Sequence, residues 1–208
     1  MKNNFMQVDY IEQTITEIAS DGKFVRCIWD SDLLEDYNWQ QNTPIQNFPD
    51  ERVYKFNVKS SKVNNVLSQL LKDFLPLGLI PYISKEGDDS INSEYEISLL
   101  KGNNKFTPLV CEEISAINYS LETEDIISKL QLWDSEFGIE LIGAGEDWCL
   151  FIFKTLPLNI ESFIIEDLNK FCPDFIGQSP YLENGFDYAV KISKDIIFYN
   201  KQVRLWWD

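Results

Sequence analysis

Ile139 to Lys154 reads IELIGAGEDWCLFIFK, and this stretch decides the fold. Ile139, Leu141 and Ala144, then Trp148, Leu150 and Ile152, are apolar at strand-like density, while Cys149, Phe151 and Phe153 supply the opposite face. A strand apolar on both faces is buried on both faces. The stretch is therefore read as a central hairpin. Its link, Gly143-Ala144-Gly145-Glu146-Asp147, offers two glycines that tolerate positive φ for a tight reversal. The two carboxylates there suit either a solvated turn or a small anion-lined site.

Outward from the hairpin, helical and strand periods alternate. Thr123 is placed to cap a helix with Glu124 and Asp125 in its first turn, and Ile126, Ile127, Leu130, Trp133 and Phe137 form its stripe up to Gly138. After the hairpin, Asn159 leads into a helix carrying Ile160, Phe163, Ile164, Leu168 and Phe171, which Pro173 ends. Gly185 to Ile196 gives a last helix and Val203 to Trp207 a closing strand. Upstream, Val8, Ile11, Ile15 and Ile18 mark a first helix and Phe24 to Asp30 a strand. Val53 to Lys59 alternates as a half-buried strand with Tyr54, Phe56 and Val58 on one face. A helix follows, capped by Ser60 or Ser61, with Val63, Val66, Leu67, Leu70, Leu71 and Phe74 as its stripe. Leu79 to Ser84 returns as a strand, completing a β-α-β unit that suits a parallel pair, with Pro81 marking an edge or a bulge. Tyr95 to Leu100 and Thr107 to Cys111 read as two further strands. The expected fold is a single α+β domain over residues 1–208: a mixed, largely antiparallel sheet with helices mainly on one face.

Composition narrows the function classes. Eighteen Lys and Arg against 34 Asp and Glu leave a net charge of −16, which repels nucleic-acid phosphates and anionic membranes and admits a basic partner. Histidine is absent, which removes Ser-His and Cys-His nucleophile pairs and nearly all mixed-ligand zinc sites. No cofactor is called for by any motif. Cys27, Cys111, Cys149 and Cys172 lie far apart with no CxxC spacing and read as reduced thiols. The opening MKNNFMQVDY has no apolar core of a signal peptide, so a cytoplasmic location is expected. Glu86, Asp88 and Asp89 lack the spacing of a twelve-residue calcium loop.

Two groups of residues carry candidate chemistry. Residues 31–51 form a long polar connection bearing Tyr37 and Trp39, rings that serve either as partner anchors or as a lid on the core. Glu146, Asp147, Asp174 and Asp208 would, if they converge, make a carboxylate cluster able to hold Mg²⁺ or Ca²⁺. In Leu205-Trp206-Trp207-Asp208, alternation sends one indole to the core and the other to the opposite face. In Phe171-Cys172-Pro173-Asp174, the cysteine reads as a buried filler, the proline as a helix stop and Asp174 as a cap for the next turn.

Together with Leu130-Gln131-Leu132-Trp133, Phe137-Gly138 and Leu141-Ile142-Gly143, these two motifs resemble the bacterial family called domain of unknown function 4253 over residues 123–208. Residues 1–52 and the region from Glu86 to Asn104 read as additions to that pattern. The resemblance implies a cytoplasmic bacterial setting and brings no reaction with it. The expected function is a non-enzymatic interaction module, of the kind in which an acidic immunity-type inhibitor neutralises a basic toxin. The rival is a metal-assisted hydrolase or small-ligand binder built on the carboxylate cluster.

Overall fold

The computed structural model describes residues 2–28, 52–88, 93–102 and 104–208. The chain is α+β, and every ladder within its two compact units, residues 1–111 and 112–208, is antiparallel.

In the first unit, α1 (Lys2–Ile18) precedes β1 (Val25–Ile28), β2 (Arg52–Lys59), α2 (Val63–Phe74), β3 (Leu79–Lys85), β4 (Glu94–Lys101) and a short α3 (Thr107–Cys111). The strands lie in the order β1-β2-β4-β3. β2 and β3 do run parallel, as a β-α-β unit requires, but β4 is inserted between them and pairs antiparallel with both. Tyr54, Phe56 and Val58 are all buried, as the alternation of β2 demands. The Tyr54 hydroxyl donates to Glu12 of α1 (3.3 Å), and Tyr10 packs edge-on against Phe74 of α2. Pro81 stands in regular register opposite Leu99, and the register shift of this ladder comes further along, between Ile83 and Lys85.

Two local expectations fail here. Thr107 to Cys111 is a helix, because Asn104 caps it: its side chain accepts from Phe106 N (2.9 Å) and its carbonyl from Thr107 N (3.0 Å), while Pro108 fits a first turn. Lys62 rather than Ser60 or Ser61 takes the N-cap position of α2; the two serines belong to a 3₁₀ turn that leads into it.

In the second unit, α4 (Thr123–Phe137) leads into the hairpin β5 (Ile139–Ala144) and β6 (Trp148–Phe153). Then α5 (Ile160–Phe163) runs into a π-helical turn (Ile164–Leu168) and a last helical turn (Asn169–Phe171). α6 (Asp174–Gly177), α7 (Phe186–Asn200) and β7 (Gln202–Trp206) complete it. The strand order is β5-β6-β7, so the all-apolar β6 is the middle strand of the three. On one face of this sheet, Cys149, Phe151, Phe153, Val203, Leu205 and Trp207 are buried. Trp133 of α4, wholly buried, packs there against Phe151, Phe163 and Phe171. Glu122 rather than Thr123 occupies the N-cap of α4, with Asp125 accepting from the Glu122 backbone N–H (3.1 Å); Thr123 Oγ1 instead donates to the Ile114 carbonyl (2.8 Å).

The glycines of the hairpin work differently from the expectation. Positive φ among the described glycines falls at Gly22, Gly78, Gly138 and Gly185, so the β5–β6 turn does not use it. Space is the reason instead. A Cβ on Gly145 would stand 2.1 Å from Trp148 Nε1, and one on Gly143 2.8 Å from the edge of the same indole, which lies over the turn.

Candidate functional site

The two sequence motifs of the second unit meet side by side. Cys172 leaves the helical path at φ −128°, and Pro173 opens the next turn. This bend brings residues 171–174 against the end of β7. Trp207 Nε1 donates to the Phe171 carbonyl (3.4 Å), and the Trp207 ring stands edge-on to Phe171 with centroids 5.6 Å apart. Cys172 Sγ donates to the Trp206 carbonyl (3.0 Å). Asp174, only 8% exposed, accepts from the Tyr119 hydroxyl at Oδ1 (2.8 Å) and from the Asp208 backbone N–H at Oδ2 (3.0 Å).

Asp208 is held by three residues in all. Asn118 Nδ2 donates to its carbonyl oxygen (2.6 Å) and Gln178 Nε2 to its side chain (3.3 Å). The hairpin turn joins the same corner through the backbone: Trp207 N–H donates to the Asp147 carbonyl (2.9 Å), and Ser115 N–H to that of Glu146 (2.8 Å). The result is a clasp in which a buried carboxylate orients a tyrosine and the end of a strand. Asp174 thus does not cap its own turn, because its two oxygens are committed to groups 55 and 34 residues away.

Electrostatics agree with that role. Burial pushes the Cys172 thiol up to about 11, so it keeps its proton at neutral pH and serves as a donor rather than a nucleophile. Burial also raises Cys149. The Tyr119 phenol is raised by the hydrogen bond it gives to Asp174, with burial and the Asp174 charge acting the same way.

Of the four candidate carboxylates, Asp174 and Asp208 come together directly. Glu146 and Asp147 sit exposed on the neighbouring turn and join the corner by backbone bonds. Among the described residues, no three His, Cys, Asp or Glu side chains are placed to hold a metal ion. Tyr37 and Trp39 lie outside the described residues. Sequence reasoning missed Tyr119, Asn118 and Gln178, whose partners are distant in sequence and leave no local pattern. It also missed Asp167, whose Oδ2 accepts from Trp133 Nε1 (2.8 Å) while Lys129 pairs with Oδ1.

The family model described as domain of unknown function (DUF4253) matches residues 96–208. The chain belongs to the DUF4253 family. The DUF4253 match contains every member of the clasp, from Asn118 to Asp208. It also opens earlier than Thr123, within β4, so residues 96–104 belong to the DUF4253 pattern rather than to an addition. No curated protein and no solved structure gives a significant match. Among the described residues, no helix is long and apolar enough to cross a membrane.

Proposed function

We propose that this DUF4253 chain is a non-enzymatic interaction module that takes a basic protein partner in the bacterial cytoplasm, in the manner of an immunity-type inhibitor facing a toxin. The observation that carries this reading is the charge of the second unit: residues 112–208 hold 18 Asp and Glu against 7 Lys and Arg. Exposed Glu113, Glu146, Asp147 and Asp208 belong to segments that the clasp ties to one corner. Ile117, 85% exposed, projects from the 3₁₀ turn Ile117–Tyr119 at this corner. An acidic field speeds and orients the approach of a basic surface, and an apolar side chain within it gives the contact a desolvated anchor. The side chains with the most chemical potential, Cys172, Asp174 and Tyr119, are occupied with one another and with the strand end. Reduced cytoplasm suits the buried thiols Cys111, Cys149 and Cys172.

The test is recovery of the chain from its host in low salt, followed by titration of the co-purifying protein. A basic partner is expected, with affinity falling steeply between about 50 and 200 mM salt. Paired reversal Glu146→Lys and Asp147→Lys, with Ile117→Asp as a second variant, is expected to weaken it at least tenfold. Absence of any partner at low salt, with a stoichiometric divalent ion bound instead, would overturn the reading in favour of carboxylate-metal chemistry.

A further inference from the structure

α7 has two apolar faces where a surface helix needs one. Ala189, Val190, Ser193 and Ile197 are buried. Beside this buried face Tyr188, Ile192, Ile196 and Tyr199 recur at i, i+4, i+8 and i+11, the spacing of a second stripe. This stripe faces outward: Tyr188 is 45% exposed, Ile196 43% and Tyr199 80%, with the Phe198 ring edge-on to Tyr199 at 5.4 Å. A run of apolar side chains of this length on a surface helix marks a contact surface.

Its charge says what the contact is. Within a unit so rich in carboxylates, residues 186–201 hold Asp187 and Asp195 against Lys191, Lys194 and Lys201. A basic partner finds no attraction there. Two copies of an acidic chain, by contrast, repel over most of their surface and meet at least cost where the local charge is balanced. We infer that the Tyr188–Ile192–Ile196–Tyr199 face of α7 is the seat of a second copy of this chain, packed antiparallel about a two-fold axis.

The geometry of such a pair fits the residues. An isologous contact brings Tyr188 onto Tyr199 of the second copy and centres Ile192 and Ile196 on one another. Antiparallel helices face like flank to like flank, and Lys191 and Asp195 share one flank of the stripe. Each Lys191 therefore meets Asp195 of the second copy, and the symmetry makes this favourable pair twice. Lys194, further round the helix on the same side, is already paired with Glu161 (3.1 Å).

Sedimentation equilibrium of the full chain at physiological salt tests this. A monomer–dimer equilibrium is expected, and Ile196→Asp or Tyr199→Asp should give monomer with an unchanged circular-dichroism spectrum, since both side chains are exposed. Lys191→Glu or Asp195→Lys alone should weaken the dimer about tenfold, two rim pairs being lost at once, and the double swap should restore it. A chain that stays monomeric at every soluble concentration overturns the inference. So does a dimer indifferent to Ile196→Asp, or a double swap that fails to rescue. The inference stands apart from the acidic corner: Glu146→Lys should leave the dimer intact, and Ile196→Asp should leave a basic partner bound.

Discussion

Trp148 and Gly145 are chosen for each other. The indole lies where a side chain at residue 145 would be, and it cannot easily leave: Arg204 stacks on it at 5.7 Å and on Trp206 at 5.1 Å, and Trp148 is paired with Trp206 across β6 and β7. Gly145→Ala should therefore cost about 1–3 kcal/mol through overpacking. In a Trp148→Ala chain the same change should cost much less, and equal costs in both backgrounds by urea denaturation would refute the steric account. Cys172 makes a second residue-level prediction. As pH rises, the unfolded chain gives up this proton near the ordinary thiol value of 9.0, while the folded chain holds it to about 11. The native state then binds more protons, so stability falls as pH rises through that window and is fully present below it. Tyr119 and Cys149, both raised, act in the same direction. Denaturation midpoints should be flat to about pH 8 and decline toward about pH 11. Cys172→Ser, which keeps a donor to Trp206 without titrating there, should make the decline shallower; an unaltered slope would count against the thiol as its source.

Among the elements, the π-helical turn Ile164–Leu168 has the most specific task, because it presents Asp167 to α4. One carboxylate oxygen satisfies the buried indole N–H of Trp133 and the other pairs with Lys129, which also lies 5.1 Å from the Trp133 ring centre. Asp167→Ala would leave that N–H unsatisfied in an aromatic core, at about 1–3 kcal/mol. In a Trp133→Phe chain, which has no such donor, Asp167→Ala should cost markedly less, so a double-mutant cycle should give clear coupling. Strict additivity would mean that the bond contributes nothing. The role of Asp167 was not legible in the sequence, since its partner Trp133 lies 34 residues away. The hairpin, α2, α4 and the alternation of β2 were legible, because periods of 2 and 3.6 are local signals. Thr107 to Cys111 was misread because a short run buried on all sides has no period, although Asn104 and Pro108 carried the helix signal. Of the site, Asp174 and Asp208 were found as carboxylates, but their direct bond and the bonds that Tyr119 and Asn118 add to it are tertiary facts.

At the scale of the whole molecule the dominant quantity is charge. Lys55, Lys129 and Lys194 have acidic partners, yet a net charge of −16 means that carboxylates far outnumber cations over the chain as a whole. Folding gathers these charges into a smaller volume than the unfolded chain occupies, so self-repulsion opposes the native state. Salt weakens that repulsion: the screening length shrinks from about 30 Å at 0.01 M to about 8 Å at 0.15 M, a change that reaches charges on different elements. The exposed ion pair Lys194–Glu161 loses strength over the same range, but a single pair of this kind is worth less than about 1 kcal/mol. Repulsion should therefore win, and the thermal unfolding midpoint should rise as sodium chloride is added. Neutralising the exposed carboxylates Glu136, Glu146, Asp147 and Glu183 to their amides should raise the midpoint at low salt and reduce the further gain from salt. A midpoint that falls with added chloride would show that local ion pairs, and not the excess of carboxylates, govern the electrostatics of this chain.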